Sequence, residues 1–232
     1  MFFYFWPMSI LLHIETATKN CSVALSKDGQ CLAIQEASGE QFSHSEKLHL
    51  FIESLLKKQG IKPQDLAAVV VDKGPGSYTG LRIGVATAKG LCYALQLPLV
   101  ALNSLEILVA AYTPKDDAYI IPMLDARRNE VYTGVFDAQK QLVKPLWAEE
   151  LQQDSYAQFT QSQATIVLGN AQEKAQQLLP QTDFEYPSTQ IEPSAKDMIL
   201  LGTQRFENGD FEDLAYFEPF YLKEFYTTPP KK

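Results

Sequence analysis

The chain has 232 residues, 46% apolar and 21% charged, and a formal net charge of −8. That length buries a proper core in one large domain or two small lobes, and no low-complexity tract points to wholesale disorder. The acidic balance argues against unaided nucleic-acid binding, which rests on Lys and Arg neutralising phosphates. Cys21, Cys31 and Cys92 form no C-x-x-C, so neither a disulfide framework nor a zinc ribbon is expected, and free thiols in a reducing cytosol fit.

The opening "MFFYFWPMSILL" is apolar but has no basic n-region and is too short to cross a bilayer. Residues 1–8 read as an N-terminal extension, disordered or loosely packed, with Met8 as a second candidate start. "ILLHIET" (10–16) reads as a buried strand, "CSVALS" (21–26) as a second, and "CLAIQE" (31–36) as a third after the Asp28-Gly29 turn. "HSEKLHLFIESLLKK" is an amphipathic helix with Leu48, Phe51, Ile52 and Leu55 on its apolar stripe, capped by Ser43 or Ser45 and stopped at Gly60. "LAAVVVD" (66–72) is a fully buried strand of the parallel-sheet kind. A glycine loop follows, then a helix from about Thr79 to Leu95, the strand "LVAL" and a helix over Leu105–Ala111.

The second half repeats that order. Strands are expected at 118–124, 130–136 and 141–147, followed by a polar helix at 148–161. A strand at 164–169, a helix at about 171–179 and a last helix beginning at Pro193-Ser194 complete the chain. Two βββαβα lobes, at 9–102 and 103–232, imply an α/β layered fold with the duplicated topology of actin-like ATPases.

"VDKGPGSYTGLRIG" (71–84) sits between a strand and a helix, where phosphate loops occur. It fails the Walker A pattern, and it fails G-x-G-x-x-G because Thr79 stands at the last glycine position. Gly80, Gly84 and Ala88 recur every four residues, as do Ala86, Gly90 and Ala94. Glycine inside a helix costs roughly 1 kcal/mol against alanine, so its repetition argues for close packing. Anion binding at the helix N-terminus, with Gly74, Gly76, Ser77, Thr79 and Arg82, is the alternative.

"ILLHIETATKNCSVAL", "HSEKL", "KGPGSYTGLRIGVATAKGLCYALQLPLVALNSLE" and "LDARRNEVY" closely resemble the TsaB (YeaZ) family, from about Met8 to the last helix. The resemblance implies a cytoplasmic protein of the actin-like ATPase fold. It also implies a partner of TsaD, working with TsaE, in making threonylcarbamoyladenosine beside the anticodon of ANN-decoding tRNAs. A homodimer is implied when TsaD is absent, tRNA contact only through the complex, and no membrane. The catalytic sister carries an acidic pair where Lys19 and Asn20 stand here, and metal-binding histidines where Ser104 and Leu108 stand. Neither Ser104 nor Leu108 suits a transition metal, so a non-catalytic chain with no metal site is expected. No cofactor is assigned to this chain; ATP or ADP shared at the TsaD boundary is compatible with the resemblance. The competing reading is an independent ATPase or peptidase of the same fold.

The expected partner interface takes Leu48, Phe51, Ile52, Leu55, Gly80, Gly84, Ala88 and Gly90. Glu15 and Asp125 end the first strand of each lobe, where actin-like ATPases hold phosphate or metal. Their bland reading is a turn or cap. "DARR" offers an anion contact through Asp125, Arg127 and Arg128, or simply a hairpin with a solvated basic pair. His44 and His49 are five apart and so face away from each other on a helix, and His13 reads as a packed core histidine.

Overall fold

The structure, a computed structural model, describes residues 9–39, 44–114, 117–180 and 184–223. The expected extension at 1–8 and the Ser43 cap lie outside the described residues. Two mixed sheets form the frame. The first has the order β3-β2-β1-β4-β5, from β1 (Ile10–Glu15), β2 (Asn20–Lys27), β3 (Gln30–Ser38), β4 (Leu66–Asp72) and β5 (Leu99–Leu102). β1, β2 and β3 form an antiparallel meander, and β4 and β5 extend it in parallel. Asp28 and Gly29, both at positive φ, turn β2 into β3, the backbone that a tight hairpin demands.

Alternation along β1 decides what covers each face. Leu12 and Ile14 join a core with α1 (His44–Gln59) and α2 (Tyr78–Leu95). Leu11 faces the opposite core, with Met198, Ile199 and Phe206. The last two belong to α6 (Ile199–Asn208). Chain order groups this last helix with the second lobe, yet it packs on the first sheet. It also starts later than expected, since 195–198 form a turn.

The second sheet has the order β8-β7-β6-β9, from β6 (Ala118–Asp125), β7 (Glu130–Phe136), β8 (Leu142–Glu150) and β9 (Ala164–Leu168). The polar helix expected at 148–161 is corrected: β8 runs on to Glu150, and only α4 (Ala157–Thr160) is helical there. Ala148 and Glu149 continue the pairing with Tyr132 and Val131, so cross-strand bonding overrides a weak local preference. Among the described residues no fifth strand equals β5; a parallel bridge from Ile166 to Glu185 stands in its place. α5 (Gln172–Leu178) covers β9.

α3 (Ser104–Ala110) joins the two halves. Its Ile107 enters the core behind the first sheet, while Leu105, Leu108 and Val109 enter the core against the second.

Candidate functional site

The ends of β1 and β4 meet the glycine loop, and the chemistry of the chain concentrates there. The parallel register pairs Ile14 with Val71, which sets Glu15 beside Asp72 at the carboxyl edge of the sheet. Both side chains are fully buried. Glu15 Oε1 accepts from the Ala17 N–H at 2.6 Å. Asp72 Oδ1 accepts from the Gly74 N–H at 2.7 Å and from the Ser104 hydroxyl at 2.7 Å. Glu15 Oε2 and Asp72 Oδ2 have no other partner.

Burial pushes the Glu15 carboxyl well above its ordinary range, and the charge of Asp72 adds to this. Burial raises Asp72 too, to about 6, although the bonds from Ser104 and Gly74 favour its charged form. Donated bonds of that kind hold Asp72 as the anionic member, so a proton on the pair rests on Glu15. Glu106 and Glu192 add negative charge around the two carboxyls.

The glycines are explained by contact between α2 and the end of β1. A Cβ on Gly80 would stand 2.1 Å from the Thr16 carbonyl oxygen, and one on Gly84 would stand 2.2 Å from Thr16 Oγ1. A Cβ on Gly76 would meet the Ala17 carbonyl oxygen at 2.4 Å. The Thr16 hydroxyl donates to the Gly80 carbonyl at 2.9 Å, and the Ser77 N–H donates to Ala17 O at 2.7 Å. Ser77 Oγ caps α2 by accepting from the Gly80 N–H.

Part of the loop's N–H array is closed to a nucleotide phosphate. The N–H groups of Gly74, Ser77 and Gly80 are all engaged within the chain, and a phosphate cradle needs them free. The C-terminal segment lies against the loop as well. Phe220 N–H donates to Lys73 O at 2.7 Å, and Tyr221 packs on the Tyr78 ring at 5.2 Å. Thr79 and Arg82 are exposed, with the Arg82 guanidinium 4.8 Å from the centre of the Tyr78 ring.

The second-lobe residues stand apart from this edge. Asp125 Oδ1 accepts from the Arg127 N–H at 2.9 Å and forms an ion pair with Lys174. Glu130 pairs with Lys223. Arg127 and Arg128 are exposed at the hairpin tip, with φ of 70° and 50°.

The expected interface set needs a correction. Leu48, Phe51, Ile52, Leu55, Gly80, Gly84 and Ala88 are all buried inside the chain, where they face the first sheet; Gly90 alone is exposed. Periodicity identified the apolar face of each helix, and that face serves the chain's own core. The outward face of α2 carries the second small-residue row, Ala86, Gly90 and Ala94, with Tyr93 82% exposed. Leu50 on α1 is 61% exposed, a residue that the stripe argument passed over. A Cβ on Gly90 would meet nothing within 4 Å, so the fold itself gives no reason for that glycine.

Two histidines find specific partners. His44 Nε2 donates to Thr18 O at 2.8 Å, which fixes the first hairpin to the start of α1. His13 is buried against Ser26 Oγ at 2.8 Å, and burial lowers it to about 3, so it stays neutral. Ser104 and Leu108 are both fully buried. Among the described residues no group of three or more His, Cys, Asp or Glu is placed to hold a metal, and no helix is long and apolar enough to cross a membrane.

Comparisons with known proteins lead to the related TsaD and TsaB proteins. The family model described as "TsaD: tRNA N6-adenosine threonylcarbamoyltransferase" matches residues 39–219. The Bacillus subtilis tRNA threonylcarbamoyladenosine biosynthesis protein TsaB is 31% identical over 227 residues, covering 92% of this chain and 93% of that protein. Its Escherichia coli namesake is 27% identical, covering 92% and 94%. The solved structure of YeaZ from Pseudomonas aeruginosa matches with a TM-score of 0.80 at 26% identity, over 93% of this chain and 100% of that one.

Proposed function

The chain belongs to the TsaB (YeaZ) family, with its actin-like fold, and from that premise we propose that it is a non-catalytic partner of TsaD in tRNA threonylcarbamoyladenosine synthesis. The observation that carries the non-catalytic part is the state of Glu15. A carboxylate at the end of the first strand is where this fold would meet a phosphate or metal. Here it is fully buried, held by the Ala17 N–H and set beside the equally buried Asp72. A carboxyl closed off from solvent in this way offers no open ligand or accessible general base.

The partner face in this reading is the outward side of α1 and α2, with Leu50, Ala86, Gly90, Tyr93 and Ala94. Small residues spaced by four let a second helix approach closely, and an exposed tyrosine beside them makes an anchor. The same face would serve a homodimer when TsaD is absent. TsaE joins the complex, tRNA is reached through it, and the setting is the cytoplasm.

The test is reconstituted tRNA threonylcarbamoylation with TsaD, TsaE, ATP, the enzyme that makes threonylcarbamoyl-adenylate, and this chain, each omitted in turn. Modification is expected to require this chain, which alone turns over neither ATP nor threonylcarbamoyl-adenylate. Full modification in its absence would sink the proposal.

A further inference from the structure

Two buried carboxyl groups side by side, with no lysine or arginine bonded to either among the described residues, call for a physical account. If both were ionised, Glu15 Oε2 and Asp72 Oδ2 would be unpartnered acceptors in a water-free site, with two like charges adjacent. Each oxygen would lack a donor, and the repulsion would be little screened. One proton between them removes both penalties, because a protonated Glu15 donates to Asp72.

We propose that Glu15 and Asp72 share one proton, forming a carboxyl–carboxylate lock that fastens three segments of the chain at one point. Glu15 holds the first hairpin through Ala17, whose carbonyl in turn accepts from Ser77 at the start of α2. Asp72 holds the glycine loop through Gly74 and the start of α3 through Ser104. Ser104 N–H also donates to Gly74 O at 3.0 Å, so the three segments close on one another. The hairpin is held from its other side by His44 of α1 at Thr18 O. The charges facing the pair are Glu106 of α3 and Glu192 of the segment before α6. Both are negative and favour retention of the proton. Cys21 of β2 is a thiol that burial pushes up to about 11, so it adds no charge of its own; the charge of Lys47 of α1 acts on it in the opposite direction. The inference is independent of whether TsaD is the partner.

The sign of the pH effect follows. The unfolded chain releases the Glu15 proton near pH 4.3, whereas the folded chain keeps it to higher pH. Stability from the lock is therefore complete below about pH 4.3 and is lost as pH rises through the folded-state value. E15Q carries a permanent amide donor in place of the proton. The folding constant of the wild type relative to E15Q should fall about tenfold per pH unit above about pH 4.3, until the folded pair ionises.

The experiment is carboxyl-carbon NMR and denaturant unfolding across pH 5 to 9 on full-length wild type, E15Q, D72N and the double variant. Wild type is expected to show one protonated buried carboxyl at pH 7 that is missing in E15Q. Either single variant should fold, since each amide supplies the donor from one side. The double variant sets two amides against each other and should be less stable than both. Amide exchange at Ala17 and Gly74 should be slower in E15Q than in wild type once the pair ionises. Two ionised carboxylates at pH 7, an E15Q profile parallel to wild type, or a double variant as stable as the singles would each overturn the lock. Stabilisation of wild type but not E15Q by Mg²⁺ or Mn²⁺ at pH 7 would also overturn it, by assigning the two oxygens to a metal.

Discussion

Arg128 sits at a hairpin tip with φ of 50°, next to Arg127 at 70°, in backbone space where a side chain with a Cβ is strained and glycine is not. Arg128→Gly is expected to stabilise the chain by about 0.5–1 kcal/mol, the strain relieved less the extra freedom of glycine in the unfolded state. Arg128→Ala keeps the strain and should bring no such gain; denaturant midpoints at constant slope separate the two. From the sequence this turn read either as an anion contact or as a hairpin with a solvated basic pair, and Glu15 stood at the end of a strand. It could not show that Asp72 would stand against Glu15, because that neighbour is set by parallel register between strands more than fifty residues apart. The bonding of Ser104 to Asp72 was hidden for the same reason, although the residue had already been singled out. The pairing of Asp125 with Lys174 likewise joins a strand end to a helix in a different part of the chain.

At the scale of elements, α2 shows what a repeat of small residues can and cannot tell. Its two rows of small residues, each spaced by four, both read as close packing. One row is used within the chain, where Gly80 and Gly84 admit the backbone and hydroxyl of Thr16; the other faces outward at Gly90. Substitutions on the two rows should therefore fail in different ways. Gly84→Val drives a methyl group into Thr16 and should cost several kcal/mol, read as a fall in unfolding midpoint. Gly90→Trp should leave the midpoint within about 0.5 kcal/mol of wild type, as surface changes usually do. On the reading proposed above, it should lower TsaD affinity at least tenfold in a titration. Normal TsaD binding by a folded Gly90→Trp variant would move the interface elsewhere. Strand and helix positions were largely legible from period and turn chemistry. The exception was 148–161, where the side chains gave no clear period and pairing with β7 drew Ala148, Glu149 and Glu150 into β8.

At the scale of the whole molecule, the two sheets are not closed units of sequence. α3 contributes side chains to the cores of both, and α6 leaves the second half to cover the rear of the first sheet. Chain order could not show this, since an amphipathic helix does not specify which sheet it covers. Truncation after Pro193 is expected to uncover Leu11, Ala24, Val70 and Val100, which are buried beside Met198, Ile199 and Phe206. Loss of several fully buried apolar side chains at once should abolish cooperative unfolding rather than merely lower its midpoint. A truncated chain that still unfolds in one transition would show that the rear face of the first sheet closes without α6.

That crossing also bears on the order in which the protein is made. A growing chain that has passed residue 102 has all five strands of the first sheet, α1 and α2, but one side of that sheet remains bare. About a hundred more residues must be added before Ile199 to Asn208 can cover it. At roughly 5–20 residues per second, this leaves an apolar surface open for some 5–20 s. The first half to be synthesised is thus among the last to be finished, and chaperone contact during synthesis should centre on the face that α6 later covers.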